Sequence, residues 1–314
     1  MKPVNVIFDT DPGIDDAMAL LLLHALPSTN VQAISTVFGN ASIEDCTRNA
    51  LYICERFSLP YPVYKGAGVT FSGLAETAYP DFVHGADGLG DVGFPVPTRR
   101  AEPQSSVDYM IETLRAASEP IEVLAVGRMT NLAEALKQAP DIAPLIDRIV
   151  MMGGAVAVPG NVTEWAEANI YGDPEAAAYV FDSGVPVLMV GLDATLQHRM
   201  KKTMLQALRQ ELGDAGEFLW QIKQCYLNFY AAKGIYDGFP IHDSTAALAM
   251  VYPNRFNLQR GTIVCVVEGE QRGRTAFEPS ELGPHEVATG VESDQLSMVF
   301  DAVMREAFGD SNKI

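Results

Sequence analysis

The chain has 314 residues, of which 48% are hydrophobic and 20% are charged. This length and composition are typical of one large domain or two ordinary ones with a sizeable buried core, and they exclude disorder over most of the length. The 22 basic residues against 40 acidic ones give a formal net charge of −18. A protein that binds the phosphate backbone of a nucleic acid is therefore excluded, because such proteins need a basic footprint.

Cysteine use and the first residues favour a reducing, soluble environment. No Cys-x-x-Cys pair occurs, so we predict that Cys46, Cys54, Cys225 and Cys265 are reduced thiols. Residues 4–8 form an apolar run without the basic and apolar regions of a secretion signal. No stretch reaches the roughly 18 apolar residues of a membrane span. We therefore expect a cytoplasmic, soluble protein with no membrane partner.

Along the chain, short apolar runs rich in β-branched residues alternate with amphipathic stretches. The pattern predicts strands at residues 4–8, 31–37, 121–126, 149–152 and 185–191, and helices at 16–25, 43–57, 105–117, 132–138, 174–182 and 202–232. Residues 262–267 and 273–277 flank a glycine-containing turn and predict a β-hairpin. Alternating strands and helices are typical of βα units that build a mostly parallel sheet.

These elements predict an α/β fold with a single domain over residues 1–314. We expect a mostly parallel, Rossmann-like central sheet flanked by helices, with a small antiparallel extension near the C-terminus. No fixed-period repeat, low-complexity tract or long linker divides the chain. The loop-like segment 69–103 includes the glycine-rich sequence HGADGLGD at 84–91. Loops longer than about 15 residues are usually functional, so we expect a functional role for this one.

The densest chemistry lies at residues 9–16, DTDPGIDD, where four carboxylates occur in eight residues between a buried strand and an apolar helix. Ligands in open α/β sheets bind at the carboxyl ends of strands, where this segment lies. Simple helix capping would explain a lone aspartate at Asp15 or Asp16. Four neighbouring carboxylates cannot all stay ionised without a cation or protons, so a hard metal ion is the economical explanation. The lack of nearby cysteines or paired histidines favours calcium or magnesium over zinc.

The remaining metal ligands must come from elsewhere in the chain. An EF-hand loop counted from Asp9 is excluded, because its twelfth position is Leu20 rather than glutamate. His242 and Asp243 are the best candidates, since this pair opens an alanine-rich helix and supplies a carboxylate and a titratable imidazole. Taken alone the pair is a weak signal, because a histidine at such a position is often structural.

Several ordered blocks together resemble one enzyme family. They are DTDPGIDD at 9–16, Gly39-Asn40 after the second strand, VGRMTN at 126–131, MMGG at 151–154, NVTEWAEAN at 161–169 and His242-Asp243. In this order they resemble the inosine-uridine type of nucleoside hydrolases, over most of the chain. The resemblance implies hydrolysis of the N-glycosidic bond of ribonucleosides, with release of ribose and a free purine or pyrimidine base.

The resemblance also implies roles for individual residues. A calcium ion (Ca2+) would be held by Asp11, Asp16, Asp243 and the main-chain carbonyl of Val126, and Asp11 would be the general base that deprotonates the attacking water. His242 would lie beside the base of the substrate, and it would protonate the base directly, protonate it through a water molecule, or mainly orient it. Contacts to the ribose are implied for Asp15, Asn40, Met152, Asn161, Glu167 and Asn169. Family members are commonly homodimers or homotetramers, so we expect a homo-oligomer that acts in nucleoside salvage.

Three further side chains are candidates for substrate contacts. Tyr226 and Tyr230 lie one helical turn apart and would cover the base, although the same spacing is typical of core packing. His84 matches a histidine that the resemblance places in a mobile flap over the substrate, where neighbouring glycines would permit motion. A surface loop residue without a role is the alternative for His84. Asp173 and Asp193 are expected to be structural caps.

Two other functions are alternatives to nucleoside hydrolysis. Asp-x-Asp after a first strand also opens phosphatases of the haloacid dehalogenase type, in which Asp9 would attack phosphate and Asp11 would act as the acid. Neither the Asp15-Asp16 pair nor the later asparagine-rich block is explained by that reaction. A calcium-dependent nucleoside- or ribose-binding protein without turnover is the non-enzyme alternative. The base preference among uridine, cytidine, inosine and adenosine stays open.

Overall fold

A nine-stranded sheet runs through the centre of the molecule in the computed structural model, which describes residues 2–309. The strands are β1 (Val4–Thr10), β2 (Thr29–Thr36), β3 (Val63–Lys65), β4 (Ile121–Ala125), β5 (Ile146–Met152), β6 (Val187–Val190), β7 (Arg199–Lys201), β8 (Gly238–Pro240), β9 (Phe256–Cys265), β10 (Thr275–Pro279) and β11 (His285–Val291). Their order in the large sheet is β10-β9-β11-β6-β5-β4-β1-β2-β3, and β7 and β8 form a separate antiparallel pair.

Most of the large sheet is parallel, as the alternating sequence pattern predicts. From β11 through β6, β5, β4, β1 and β2 to β3, each strand is parallel to its neighbour. The hairpin of β9 and β10 is antiparallel and adds to the edge of the sheet through β11. The predicted α/β class and the antiparallel C-terminal extension are therefore confirmed, whereas β3, β7, β8 and β11 were not predicted.

Helices cover both faces of this sheet. They are α1 (Ile14–Ala25), α2 (Ile43–Arg56), α3 (Asp81–His84), α4 (Ser106–Ala116), α5 (Thr130–Gln138), α6 (Ala168–Gly172), α7 (Pro174–Phe181), α8 (Leu192–Thr195), α9 (Lys202–Glu211), α10 (Gly213–Ala232), α11 (His242–Val251) and α12 (Ser293–Phe308). Helices α1, α10, α11 and α12 contribute to the core on one face, and α4, α5 and α7 contribute to the core on the other. None of the helices among residues 2–309 combines the length and apolar character that crossing a membrane requires.

Helix α1 is apolar around most of its circumference, and this explains its central position. Every residue from Ile14 to Leu23 is buried, and the helix packs against α11 and α12. A helix that is hydrophobic all round is stable only when other elements surround it. The carboxylates of Asp15 and Asp16 in its first turn are therefore carried into the interior of the molecule.

The single helix predicted at residues 202–232 is wrong, because the chain forms α9 and α10 with a break between them. Leu212 ends α9, and Gly213 adopts a left-handed φ of 54° that a continuous helix does not allow. The two helices then pack closely: a Cβ on Gly216 would collide with the main-chain oxygen of Leu208. The glycines at 213 and 216 thus permit the reversal and the close packing that follows it.

The strand order brings the predicted site blocks together. From β1 the chain passes to β2 on one side, whereas β4 returns to pair with β1 on its other side. Such a switch in direction leaves a crevice at the carboxyl ends of the two strands, and ligands of open α/β sheets bind there. The segments after β1, β2, β4 and β5 all open into this crevice.

Candidate active site

The acidic segment at residues 9–16 forms the turn from β1 into α1. Asp11 follows the end of the strand, Asp15 and Asp16 lie in the first turn of the helix, and all three are at most 2% exposed. Asp16 accepts hydrogen bonds from the Thr10 hydroxyl at 2.6 Å and from the Gly13 N–H at 3.0 Å. Its carboxylate therefore caps the helix in which it lies.

Asp11 has one carboxylate oxygen anchored and the other buried without a donor. Oδ2 accepts a hydrogen bond from the main-chain N–H of Asn40 at 2.8 Å. Oδ1 has no hydrogen-bond partner among residues 2–309. A Cβ on Gly39 would collide with Oδ2, and one on Gly127 would lie 2.6 Å from Oδ1. The two glycines thus leave a cradle around this carboxylate that a larger residue would fill.

The carboxylates around Asp11 disfavour one another's charge. Burial and the charge of Asp16 raise the pKa of Asp11 well above its ordinary value, while Arg128 and the Asn40 N–H oppose the shift. Burial also raises the pKa of Asp16, against its hydrogen bonds from Thr10 and Gly13. In Asp243, burial and the charges of Asp16, Asp15 and Asp11 raise the pKa well above its ordinary value. This group of acids therefore favours either protons or a cation.

Asp15 behaves differently because a lysine pairs with it. The Lys223 Nζ on α10 donates to Asp15 Oδ1 at 2.8 Å. The main-chain N–H groups of His242 and Asp243, at the start of α11, donate to Asp15 Oδ2 at 2.6 and 3.1 Å. Burial alone would raise the pKa of Asp15, but Lys223 and His242 hold it below its ordinary value. Asp15 therefore stays an anion.

His242 is held from both of its ring nitrogens. Nδ1 lies 2.8 Å from the hydroxyl of Thr195, at the end of α8, and Nε2 lies 3.3 Å from the hydroxyl of Tyr230. Burial lowers the pKa of His242, and Asp15 opposes the shift. Each ring nitrogen has a hydroxyl partner, so the neutral imidazole can accept a proton at one nitrogen and donate a proton from the other.

A cavity of about 180 Å³ lies next to these side chains. Its lining includes most of the predicted site, namely Asp15, Asn40, His84, Val126, Met152, Asn161, Glu167, Asn169, Tyr226, Tyr230, His242 and Asp243. Asp11 and Asp16 lie behind this surface and are linked to it by Asn40, whose Nδ2 donates to Asp16 at 2.9 Å. The structure therefore brings every predicted site residue to one place.

Acceptor and donor groups converge on one end of the cavity. The Asn169 Nδ2 donates to the carbonyl of Val126 at 2.7 Å and to that of Met152 at 3.1 Å. The Glu167 carboxylate accepts from the N–H groups of Asn169 and Gly154 at 3.0 Å, and burial raises its pKa against these hydrogen bonds. Hydroxyl groups of a sugar would match such a set, because each can donate to a carboxylate and accept from an amide.

The loop that contains His84 is ordered by hydrogen bonds and lies against the acidic turn. His84 Nδ1 accepts from the Ile14 N–H at 3.2 Å, and its ring packs edge-on against Tyr226. The side chain is buried, and burial lowers its pKa to about 3. The nearby Gly85, Gly88 and Gly90 all have left-handed φ angles. The shape of the loop therefore requires these glycines, whether or not they also permit motion.

Two polar residues near the site were not predicted from the sequence. Lys223 is fully buried and pairs with Asp15, and Thr195 contacts His242. A charged residue on the buried face of α10, one turn before Tyr226, is the signal that could have identified Lys223. Thr195 has no such signal in the sequence. Asp173 and Asp193 accept main-chain N–H groups of Ala176 and Val156 at 3.2 and 2.8 Å, as expected of structural residues.

Comparison with known proteins agrees with this geometry. The family model described as inosine-uridine preferring nucleoside hydrolase matches residues 6–299. The chain belongs to this family. It is 37% identical to uridine nucleosidase 1 of Arabidopsis thaliana over 280 residues, which cover 88% of this chain and 82% of that one. It is 36% identical to a pyrimidine-specific ribonucleoside hydrolase of Escherichia coli over 284 residues, covering 90% and 89% of the two chains.

A solved structure supports the same conclusion. The purine-preferring ribonucleoside hydrolase from Gardnerella vaginalis superposes with a TM-score of 0.92 at 34% identity, covering 96% of this chain and 98% of that chain. The resemblance stated from the sequence is thereby confirmed, and so is the enzyme class. This chain is a nucleoside hydrolase, and the phosphatase alternative does not fit the family.

Proposed function

We propose that this nucleoside hydrolase cleaves the N-glycosidic bond of ribonucleosides in the cavity described above, with the help of a bound calcium ion. One observation carries the proposal: Asp11 has a buried oxygen without a partner among the described residues, inside a group of acids that burial and mutual repulsion shift toward protonation. A divalent cation would supply both the missing partner and the missing positive charge.

Asp11, Asp16 and Asp243, with the main-chain carbonyl of Val126, are the proposed ligands of the ion. Carboxylate and carbonyl oxygens are the ligands that calcium prefers. Among residues 2–309, no three His, Cys, Asp or Glu side chains are grouped closely enough to hold an ion by themselves. In this proposal the three carboxylates would therefore move closer together around the ion, and main-chain and water oxygens would complete the shell.

Asp11 is the proposed general base for the attacking water. A bound calcium ion lowers the pKa of a water molecule that it coordinates. Oδ1 of Asp11 would accept a proton from the attacking water, while Oδ2 stays fixed by the Asn40 N–H at 2.8 Å. Because one oxygen is anchored, the other keeps the orientation that proton transfer requires.

The acidic side chains around the sugar also favour the transition state. Loss of the base builds positive charge on the ribose ring. Asp15 stays an anion beside the cavity, and Asp11 and Asp243 lie close behind or along its wall. These charges bind a cationic ring more strongly than a neutral nucleoside, and this difference raises the rate. Substrates without the ribose hydroxyls would lose the contacts proposed with Glu167 and Asn169 and are expected to react poorly.

His242 is the proposed donor of a proton to the departing base. Its Nε2 faces Tyr230, and both side chains line the cavity. Tyr226 and Tyr230 contact each other edge-to-face with ring centroids 5.9 Å apart, and they form the proposed wall of the base subsite. Thr195 holds the other imidazole nitrogen, so the ring cannot turn Nε2 away without losing that contact.

Uridine is the nucleoside that we propose as the preferred substrate. Relatives of 36 to 38% identity are named uridine nucleosidase or pyrimidine-specific ribonucleoside hydrolase. The similar structure from Gardnerella vaginalis belongs to a purine-preferring enzyme. The backbone fold alone therefore does not decide the base, and the preference must come from side chains of the base subsite.

An assay for free ribose tests this proposal. Uridine, cytidine, inosine and adenosine are incubated with the protein without phosphate, before and after divalent cations are removed, and then with added calcium. We expect ribose release that is fastest with uridine, stops on chelation and returns with calcium. Release that continues without any divalent cation would contradict the role of the ion. A folded, calcium-bound protein that releases no ribose would instead be a nucleoside-binding protein.

A further inference from the structure

Lys223 is a buried cation that the proposed reaction does not use. It is 0% exposed, and it is the only buried lysine among residues 2–309. Its Nζ lies 2.8 Å from Asp15 Oδ1, 4.6 Å from the centre of the Tyr226 ring and 5.0 Å from that of Phe239. One ammonium group therefore contacts a carboxylate and two aromatic faces.

Packing alone does not explain a lysine at this position. Its neighbours on the buried face of α10 include Leu219, Ile222 and Leu227, and an apolar residue would continue that face. A buried ion pair often gains no stability over a well-packed apolar pair, because removing two charges from water is costly. The pair of Lys223 with Asp15 thus calls for an explanation in the site that Asp15 lines.

The contacts of Asp15 supply that explanation. A carboxylate has about four acceptor positions. Lys223 takes one on Oδ1, and the His242 and Asp243 N–H groups take two on Oδ2. The carboxylate is thus fixed between α10 and α11, and one acceptor position on Oδ1 remains for a ligand in the cavity. Without Lys223, the protein would orient Oδ1 only indirectly, through the two main-chain contacts of Oδ2.

We propose that Lys223 is a positioning residue for ribose recognition, which fixes Asp15 on the sugar side of the cavity and the ring of Tyr226 on the base side. This inference rests on the proposed function, in which Asp15 binds a ribose hydroxyl. Lys223 itself touches no substrate. It acts from behind the cavity wall, through two residues that line it.

The size of the expected effect follows from similar supporting contacts. Partners that orient the side chains holding a metal ion typically contribute 10- to 100-fold in affinity or activity, and we take the same range for a partner of Asp15. Lys223→Met keeps an unbranched side chain of similar length but removes the ammonium group. We expect this variant to lose about 10- to 100-fold in kcat/KM for uridine. The loss should be smaller for whichever deoxyuridine lacks the hydroxyl that Asp15 binds.

The experiment measures kcat and KM with uridine, 2′-deoxyuridine and 3′-deoxyuridine at saturating calcium. The variants are Lys223→Met, Lys223→Arg, Asp15→Asn and the double variant Asp15→Asn/Lys223→Met. Lys65→Met is the matched control, because it breaks the exposed ion pair with Glu44 outside the cavity. We expect Lys223→Arg to retain more activity than Lys223→Met, and the control to equal the wild type.

Non-additivity decides whether Lys223 acts through Asp15. If it does, adding Lys223→Met to Asp15→Asn should change kcat/KM by less than about threefold, because interacting residues do not contribute independently. The double variant also has no unpaired buried charge, so it remains informative if Lys223→Met alone does not fold. Equal losses with all three substrates, or the same loss in both backgrounds, would overturn the proposal.

A measurement of ribose binding distinguishes failure of this inference from failure of the proposed function. Calorimetric titration with ribose, at saturating calcium, reports on the sugar side even if the wild type releases no base. We expect Lys223→Met to weaken ribose binding tenfold or more. An unchanged dissociation constant in a folded variant would refute the role of Lys223, whereas an inactive wild type with normal ribose binding would refute the proposed reaction alone.

Discussion

Asp11 and Asp9 each have one buried carboxylate oxygen without a hydrogen-bond partner among residues 2–309, but only Asp11 is held by Asn40, a residue that lines the cavity. Asp11→Asn removes the carboxylate that would accept the proton. It also removes one of the negative charges that would face the proposed ion. General base catalysis typically contributes 10²- to 10⁴-fold, so we expect kcat with uridine to fall by about 10³-fold or more while the protein stays folded. Steady-state kinetics and thermal melting at saturating calcium measure both effects.

Asp9 provides the matched control for that substitution. It is also fully buried, but its Oδ1 accepts from Ser35 and from Asn131 Nδ2, away from the cavity lining. Burial raises the pKa of Asp9 to about 7, with Asn131 and Ser35 opposing the shift, so a neutral amide replaces a group that is often protonated. We expect Asp9→Asn to change kcat by less than about threefold. Similar losses in both variants would show that the segment, rather than Asp11, carries the effect.

His242 can be tested through the leaving group. His242→Ala should reduce kcat/KM for uridine by about 10²- to 10⁴-fold, because the departing base needs a proton. A nitrophenyl riboside has a leaving group that departs without protonation, and we expect a loss of less than about tenfold with it. Thr195→Val removes the contact to Nδ1 and should show the same substrate dependence with smaller losses. Equal losses on both substrates would exclude His242 as the acid.

At the scale of elements, the sequence predicted those parts of the fold and site that depend on local pattern. The strands that precede Asp11 and Val126 were identified from apolar runs, and the rule that ligands bind at strand ends placed both residues at one edge. The pair of Asp15 with Lys223 spans 208 positions, and no local pattern reports such a contact. The break at Gly213 was missed because apolar periodicity continues on both sides of it.

The loop at residues 84–91 gives a prediction about a single element. Gly88 has a left-handed φ of 80°, and a Cβ there would lie 2.9 Å from Asn49 Nδ2. That Nδ2 joins the loop to the acidic turn, because it donates to the carbonyls of Asp87 at 2.8 Å and Pro12 at 2.9 Å. Gly88→Ala should therefore displace the loop and raise KM for uridine about three- to tenfold, in addition to a backbone cost of roughly 1–2 kcal/mol in stability.

Gly93→Ala separates the two consequences of that substitution. Gly93 also has a left-handed φ, of 76°, but a Cβ there would meet nothing within 4 Å. Gly93→Ala should therefore lose the same backbone contribution to stability in thermal or urea unfolding, without a change in KM for uridine. If Gly88→Ala and Gly93→Ala have the same KM and the same stability, the contact of the loop with Asn49 does not support the substrate site.

At the scale of the whole molecule, the acidic residues that give the net charge of −18 lie in two different environments. Acidic residues at the surface, such as Asp141 and Asp214, pair with arginines, and those hydrogen bonds lower their pKa values. Asp11 and Asp243 are instead buried among other acids, and their pKa values are raised well above 3.8. The molecule therefore concentrates its unfavourable charge where the proposed ion binds.

This arrangement predicts how calcium and pH act together on stability. The raised pKa values of Asp11 and Asp243 mean that the ion-free folded protein holds protons that the unfolded chain has released. Their contribution to stability is complete below pH 3.8 and is lost as the pH rises through the raised values. The proposed calcium ion would bind the ionised carboxylates and so compete with these protons. Calcium should therefore stabilise the protein more at pH 8 than at pH 5.5.

Thermal unfolding with and without calcium, at both pH values, measures this coupling. A ligand at 100 times its dissociation constant stabilises the folded state by about 2.7 kcal/mol, and we expect a gain of this order at pH 8 and a smaller gain at pH 5.5 at the same calcium concentration. Asp11→Asn should reduce the gain at pH 8, because it removes one of the charges that the ion neutralises. A calcium effect that is equal at the two pH values, or unchanged in Asp11→Asn, would place the ion away from these carboxylates.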